Sequence, residues 1–178
     1  MLGLGNPLRR DDAVGLKVAT EVERMLRAQP LPGVRVLTSA RAGFELIDLL
    51  VGATHAVIVD CLELPDPTPG KVHRLSLMAF AGSARLVGMH EISVADAFEF
   101  ARRLSIEMPR TVEIIAVEAA DTMTLSEEMD PRVAAAVEPA AVAVLRKITR
   151  WVGGTRGRAA AKTPRHSPGS EARGRRRK

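Results

Sequence analysis

The sequence predicts an α/β protein, a three-layer sandwich with a mostly parallel central sheet flanked by helices and a first strand truncated at the N-terminus. Three observations point there. Ala56-Val57-Ile58-Val59-Asp60 and Thr111 to Val117 are apolar, β-branched runs of the kind buried on both faces of a parallel sheet. Segments with helical periodicity alternate with them, which is the pattern of a sheet covered by helices. A glycine turn, Gly3-Leu4-Gly5-Asn6-Pro7, stands just before the first helical segment.

In that first helix Val14, Val18, Val22 and Met25 recur at spacings of four, four and three, so they form one stripe reaching to about Arg27. Val34 to Thr38 reads as a short strand. A helix follows from about Phe44 to Val51, with Phe44, Ile47, Leu50 and Val51 expected inward. After the strand ending in Asp60, Pro65 to Gly70 is rich in turn formers, and Lys71 to Leu77 alternates as a further strand. Ser93 and Asp96 have the spacing of a capping box for a helix at Val94 to Leu104. The last helix is expected to begin near Pro131, suited to a first helical turn, and to reach about Trp151. Its inward residues are Val133, Val137, Val144 and Ile148, and Pro139 should bend it.

Charge divides the chain in two. Residues 153–178 carry nine Lys or Arg and one acid, so a tail of charge +8 follows a folded part, residues 1–152, of charge −3. The tail lacks apolar periodicity and is expected to be disordered. It suits contact with nucleic acid or another acidic surface, and equally a solubilising role. One domain is expected, as a monomer. No apolar run approaches the roughly 20 residues of a membrane span, nothing resembles a secretion signal, and the single Cys61 forms no internal disulfide, so a cytoplasmic protein is expected. Cys61 reads as a small buried residue.

Ligands of open α/β sheets bind beyond the carboxyl ends of the strands. Asp60 is placed there by its strand, Asp11 and Asp12 by the first turn, and His90 by a connection leading into a helix. The Gly3-x-Gly5 turn alone suggests a phosphate cradle. Leu8, however, replaces the third glycine of the dinucleotide fingerprint, and two aspartates at a helix entrance repel an anion. Two readings stay open for Asp11 and Asp12: a plain helix cap, or part of a carboxylate, carboxylate and imidazole set acceptable to nickel or zinc.

An ordered series of motifs runs through about residues 1–150: Gly3-x-Gly5-Asn6-x-Leu8-x-x-Asp11-Asp12-x-x-Gly15, Gly43-Phe44-Glu45-Leu46, Val59-Asp60, Pro69-Gly70-x-Val72, His90-Glu91, Glu107-Met108-Pro109, Val117-Glu118 and Leu125-Ser126. It resembles the hydrogenase maturation endopeptidases, which trim the C-terminal extension from the large-subunit precursor of nickel–iron hydrogenases after nickel insertion. The resemblance implies that Asp12, Asp60 and His90 are the metal-binding and catalytic residues, that the nickel is that of the precursor, and that no organic cofactor is used. Asp11 or an uncoordinated carboxylate is the expected proton shuttle. Ala40-Arg41 stands where the family usually has Gly-Thr.

Two alternatives come from other classes. Peptidyl-tRNA hydrolases open with a similar Gly-Leu-Gly-Asn-Pro, but they need a histidine a few residues on, where Arg9-Arg10-Asp11-Asp12-Ala13 offers none. A non-catalytic hydrogenase assembly chaperone is the other. The start of the chain departs from the family, because only Met1-Leu2 precede Gly3. A strand that short should leave neighbouring backbone groups unpaired at about 1–3 kcal/mol each, so in-frame codons upstream are expected to encode further Val, Ile or Leu residues.

Overall fold

The computed structural model describes residues 1–40, 43–77 and 94–160. Strands β1 (Leu2–Leu4), β2 (Leu37–Ser39), β3 (His55–Leu62), β4 (Val72–Ser76) and β5 (Thr111–Glu118) form one sheet in the order β2-β1-β3-β5-β4. All neighbours are parallel except β4, which closes the edge antiparallel to β5. The helices are α1 (Val14–Ala28), α2 (Glu45–Leu50), α3 (Val94–Arg103), α4 (Pro131–Ala135) and α5 (Val137–Ala160), with a 3-10 turn at Arg10–Ala13.

Alternation along β3 divides the core. Val57, Val59 and Cys61 face α1, α4 and α5, where Val14, Val18, Val22, Val133, Val144 and Ile148 meet them. Ala56, Ile58 and Leu62 face the other layer, against Leu46, Ile47 and Leu50 of α2 and Val94, Ala97 and Ala101 of α3. Burial on both sides explains the unbroken apolar run of β3, since a residue on either face leaves water. The three-layer architecture expected from the sequence is the one formed.

Several boundaries differ from those expected. The strand at Asp60 runs two residues further, to Leu62, because each of its eight residues pairs with β5, from His55↔Thr111 to Leu62↔Glu118. In α2 the inward face is Leu46, Ile47 and Leu50; Phe44 and Val51 are exposed. Phe44 instead lies against Phe100 of α3, with ring centroids 4.6 Å apart. The final helix is not bent at Pro139 but broken three residues earlier, at Ala136. A proline ring clashes with the carbonyl four residues back, here that of Ala135, so Pro139 is accommodated in the first turn of a new helix. That helix continues to Ala160, past the boundary expected at residue 152. Ser93 of the expected capping box lies outside the described residues.

Candidate functional site

The site is built where the β1–α1 turn meets the carboxyl end of β3. Glycines let the two come together. Gly5 has φ +137°, and a Cβ there would lie 1.8 Å from the Asp12 carbonyl oxygen. The glycine pattern therefore serves close backbone approach, consistent with the reading that it cradles no phosphate. The 3-10 turn Arg10–Ala13 then presents two adjacent aspartates in different directions.

Asp11 points inward and is completely buried. Its Oδ2 accepts the N–H groups of Ala120 at 2.8 Å and Asp121 at 2.9 Å, and its Oδ1 accepts that of Asp130 at 2.7 Å. Hydrogen bonds to a charged acceptor contribute about 1.5–3 kcal/mol each, so this carboxylate fastens the first turn to the loop that follows β5. Neither Asp11 nor Asp12 caps a helix by a side-chain bond.

Asp12 turns toward β3. Its Oδ2 accepts the Asn6 N–H at 3.0 Å, and its Oδ1 accepts the Cys61 thiol at 3.2 Å. Asp60 takes the Cys61 backbone N–H on Oδ1 at 2.8 Å. One ligand atom from each of Asp12, Asp60 and Cys61 lies within 4.8 Å of the other two, a group able to hold a metal ion. His90 lies outside the described residues. The sequence thus brings Asp12 and Asp60 to one place and sends Asp11 elsewhere.

The electrostatics of the pair follow from that proximity. Burial and then the negative charge of Asp12 push the Asp60 carboxyl up to about 7, against the opposing bonds from Cys61. Burial, Asp60 and Asp12 together push the Cys61 thiol well above its ordinary range, so it stays protonated and donates to Asp12. A protonated thiol is a poor nucleophile. Glu63, just beyond β3, is pushed up as well, by partial burial first and then by Asp12 and Asp121. Cys61 is buried, as the sequence reading expects, but that reading missed its thiol bond to Asp12 and missed Glu63, although both residues stand within three positions of Asp60.

A second acid, Glu118, ends β5 and is buried. Burial alone would raise its carboxyl, but the bonds from His73 Nε2, at 2.5 Å, and from the Thr68 N–H outweigh it and hold it low. Glu118 anchors the loop before β4. Beside the aspartates, Leu8, Met123 and Leu125 are exposed, and the Ser126 N–H donates to the Leu8 carbonyl at 3.0 Å.

Known proteins resemble this chain in sequence and in fold. The hydrogenase maturation protease family matches residues 16–147. The chain is 28% identical over 147 residues to the Hydrogenase 2 maturation protease of Escherichia coli strain K12, covering 82% of this chain and 87% of that protein. The hydrogenase maturating endopeptidase HybD of E. coli has a similar fold, with TM-score 0.68 at 24% identity over 84% of this chain and 90% of that one. The solution structure of an endopeptidase from E. coli gives TM-score 0.63 at 27% identity, with 82% and 88% covered. A [NiFe] hydrogenase maturation protease from Thermococcus kodakarensis gives 0.55 at 23%, with 82% and 95% covered. A match over most of the folded part carries the chain away from the peptidyl-tRNA hydrolases and into the peptidases: it belongs to the hydrogenase maturation protease family.

Proposed function

We propose that this chain removes the C-terminal extension of a nickel–iron hydrogenase large-subunit precursor, and that it recognises the nickel the precursor carries. The observation that supports this reading most is the pairing of Asp12 with Asp60. The negative charge of Asp12 stands against the Asp60 carboxyl and disfavours its ionisation, and a divalent cation between them relieves the repulsion. The donor set, two carboxylates beside a protonated thiol, suits a hard or borderline cation supplied with the substrate. His90 is proposed as the third ligand, on the strength of its sequence motif.

Asp12 is held by Asn6 and Cys61, and Asp60 by Cys61, so both are oriented before substrate arrives. Asp12, Asp60 and His90 would hold the nickel of the docked precursor, which would supply polarisation of the neighbouring carbonyl. Asp11 has both oxygens occupied by backbone donors; Glu63, whose raised affinity for protons fits it for uptake, takes the proton of the attacking water and passes it to the leaving amine nitrogen as the peptide C–N bond breaks. Exposed Leu8, Met123 and Leu125 offer the precursor an apolar rim.

The test is incubation of nickel-loaded and nickel-free precursor with the protein. Cleavage of the loaded form only is expected; equal cleavage of both overturns nickel recognition, and binding without cleavage supports the assembly-chaperone alternative. Glu63→Gln should lower kcat while leaving precursor affinity unchanged, and an unaltered kcat removes Glu63 from the mechanism.

A further inference from the structure

Glu118, the last residue of β5, is a buried acid that the cleavage chemistry leaves unused. The backbone around it is a junction. The N–H of Glu118 donates to the Lys71 carbonyl at 2.9 Å and that of Ala119 to the Leu62 carbonyl at 3.0 Å, while those of Ala120 and Asp121 hold Asp11 at 2.8 and 2.9 Å. Leu62 and Lys71 flank residues 63–70, so both feet of the loop between β3 and β4 stand on adjacent residues of β5. The Gly70 N–H completes the second foot by donating to the Glu118 carbonyl at 2.8 Å.

Between those feet the backbone has few ties. Pro65 and Pro67 carry no N–H, and among the described residues the first backbone N–H after Leu62 to find a partner is that of Thr68. Its partner is the Glu118 side chain. Oε2 takes the Thr68 N–H, while Oε1 faces His73 Nε2 at 2.5 Å and Lys71 Nζ at 3.6 Å. Lys71 and His73 belong to the second foot, so one buried carboxylate joins the crest of the loop to its base. Glu63 opens the loop, half-buried and within the field of Asp12 and Asp121, so the course of the chain from Glu63 to Thr68 decides where its carboxyl stands.

We propose that Glu118 is a positioning residue for peptide cleavage: by gripping Thr68 at the crest and His73 at the base, its side chain sets the course of residues 63–70 and keeps Glu63 beside Asp12. The proposal rests on the proton-carrying role given to Glu63 above. An ionised acceptor makes the grip stronger than a neutral one would, and burial of Glu118 keeps water from taking the place of the Thr68 N–H. A purely structural anchor would affect stability and leave the chemical step alone; a positioning residue acts through Glu63 and shows in kcat.

The test is a double-mutant cycle in the full chain with nickel-loaded precursor, joined to hydrogen exchange of the protein alone. Glu118→Ala should lower kcat by about tenfold or more with KM unchanged, and should lower it no further in a chain that already carries Glu63→Gln. Thr68→Pro removes the same bond from the loop side and should give the same result, which keeps the test decisive where Glu118→Ala does not fold. Glu118→Gln keeps an oxygen for the Thr68 N–H and an amide for neutral His73, so kcat should return to within about threefold of the unaltered chain. Exchange at the Gly70 and Lys71 amides should quicken by about tenfold in Thr68→Pro, with Ile114–Val117 unchanged. Losses from Glu118→Ala and Glu63→Gln that multiply, a lowered Tm with kcat intact, or unchanged exchange at Gly70 and Lys71 overturn the proposal and leave the cleavage reading standing. Absence of cleavage by the unaltered chain, or an unaltered kcat in Glu63→Gln, overturns that reading and the proposal with it.

Discussion

The Cys61 thiol donates to Asp12 Oδ1 at 3.2 Å while the Cys61 backbone N–H, at 2.8 Å, donates to Asp60, so one residue orients both carboxylates of the site. Only the thiol bond depends on the side chain. Cys61→Ala keeps the bond to Asp60 and should cost about 1 kcal/mol of stability for the lost buried atom. Precursor cleavage should fall by less than about tenfold, the scale of one weak neutral donor. Asp60→Ala should abolish cleavage in the same assay. Loss of cleavage in Cys61→Ala with retention in Asp60→Ala would move the chemistry to the thiol.

Asp11 and Asp12 are neighbours with opposite expected phenotypes. Asp11→Asn places an amide N–H against at least one backbone donor and removes a charge that three N–H groups share. A loss of about 3–5 kcal/mol is expected, seen as a fall in Tm. Asp12→Asn should leave Tm nearly unchanged and eliminate cleavage of nickel-loaded precursor. Thermal melts and cleavage assays of the two variants, run below the Tm of both, separate scaffold from site.

Asp60 gives the site a pH signature. Its carboxyl is raised from 3.8 to about 7, so in that interval the folded protein binds more protons than the unfolded chain. Stability contributed at Asp60 is therefore present at low pH and lost as pH rises through about 7. Asp60→Asn should raise Tm by several degrees at pH 8 and scarcely change it at pH 4. Carbon-13 NMR of the Asp60 carboxyl should show titration near neutrality in the metal-free protein. Asp12→Asn should move that titration down, without restoring the ordinary value, because burial is the larger cause.

How far the sequence reveals this depends on the range of each interaction. β3 is legible because every residue of His55–Leu62 meets an apolar layer or a neighbouring strand, and Asp60 stands out as the charge inside that run. The convergence of Asp12 and Asp60 is legible from topology, since Asp12 follows β1 and Asp60 lies near the carboxyl end of the parallel strand β3. The task of Asp11 is not, because its partners Ala120, Asp121 and Asp130 lie more than 100 residues away and contribute only backbone N–H groups. Any residue type can supply a backbone donor, so no pattern marks it. The break at Ala136 was hidden differently: Pro139 signals a disruption, but whether a helix bends or restarts depends on packing. The exposure of Phe44 likewise depends on Phe100, which belongs to another element.

Gly15 also couples the fold to the site. It lies in the first turn of α1, three residues after Asp12, where the helix crosses β1 and β3. A Cβ at Gly15 would meet the Leu4 carbonyl oxygen at 2.1 Å and the Val59 carbonyl oxygen at 2.5 Å. Both are backbone atoms of central strands, so no side chain can rotate away and the helix itself must move. Gly15→Ala should therefore destabilise by about 3 kcal/mol or more despite its better helix propensity, and displace Asp12 from Asp60. Gly153 in α5 is the control, because a Cβ there meets nothing within 4 Å. Gly153→Ala should be neutral or stabilising by up to about 1 kcal/mol, the propensity difference alone. Urea unfolding of both variants measures the contrast, and precursor cleavage by the folded fraction reports the displacement: a fall in rate is expected for Gly15→Ala and none for Gly153→Ala. Equal stability of the two would show that α1 does not press on β1 and β3 as closely as the glycine at position 15 implies.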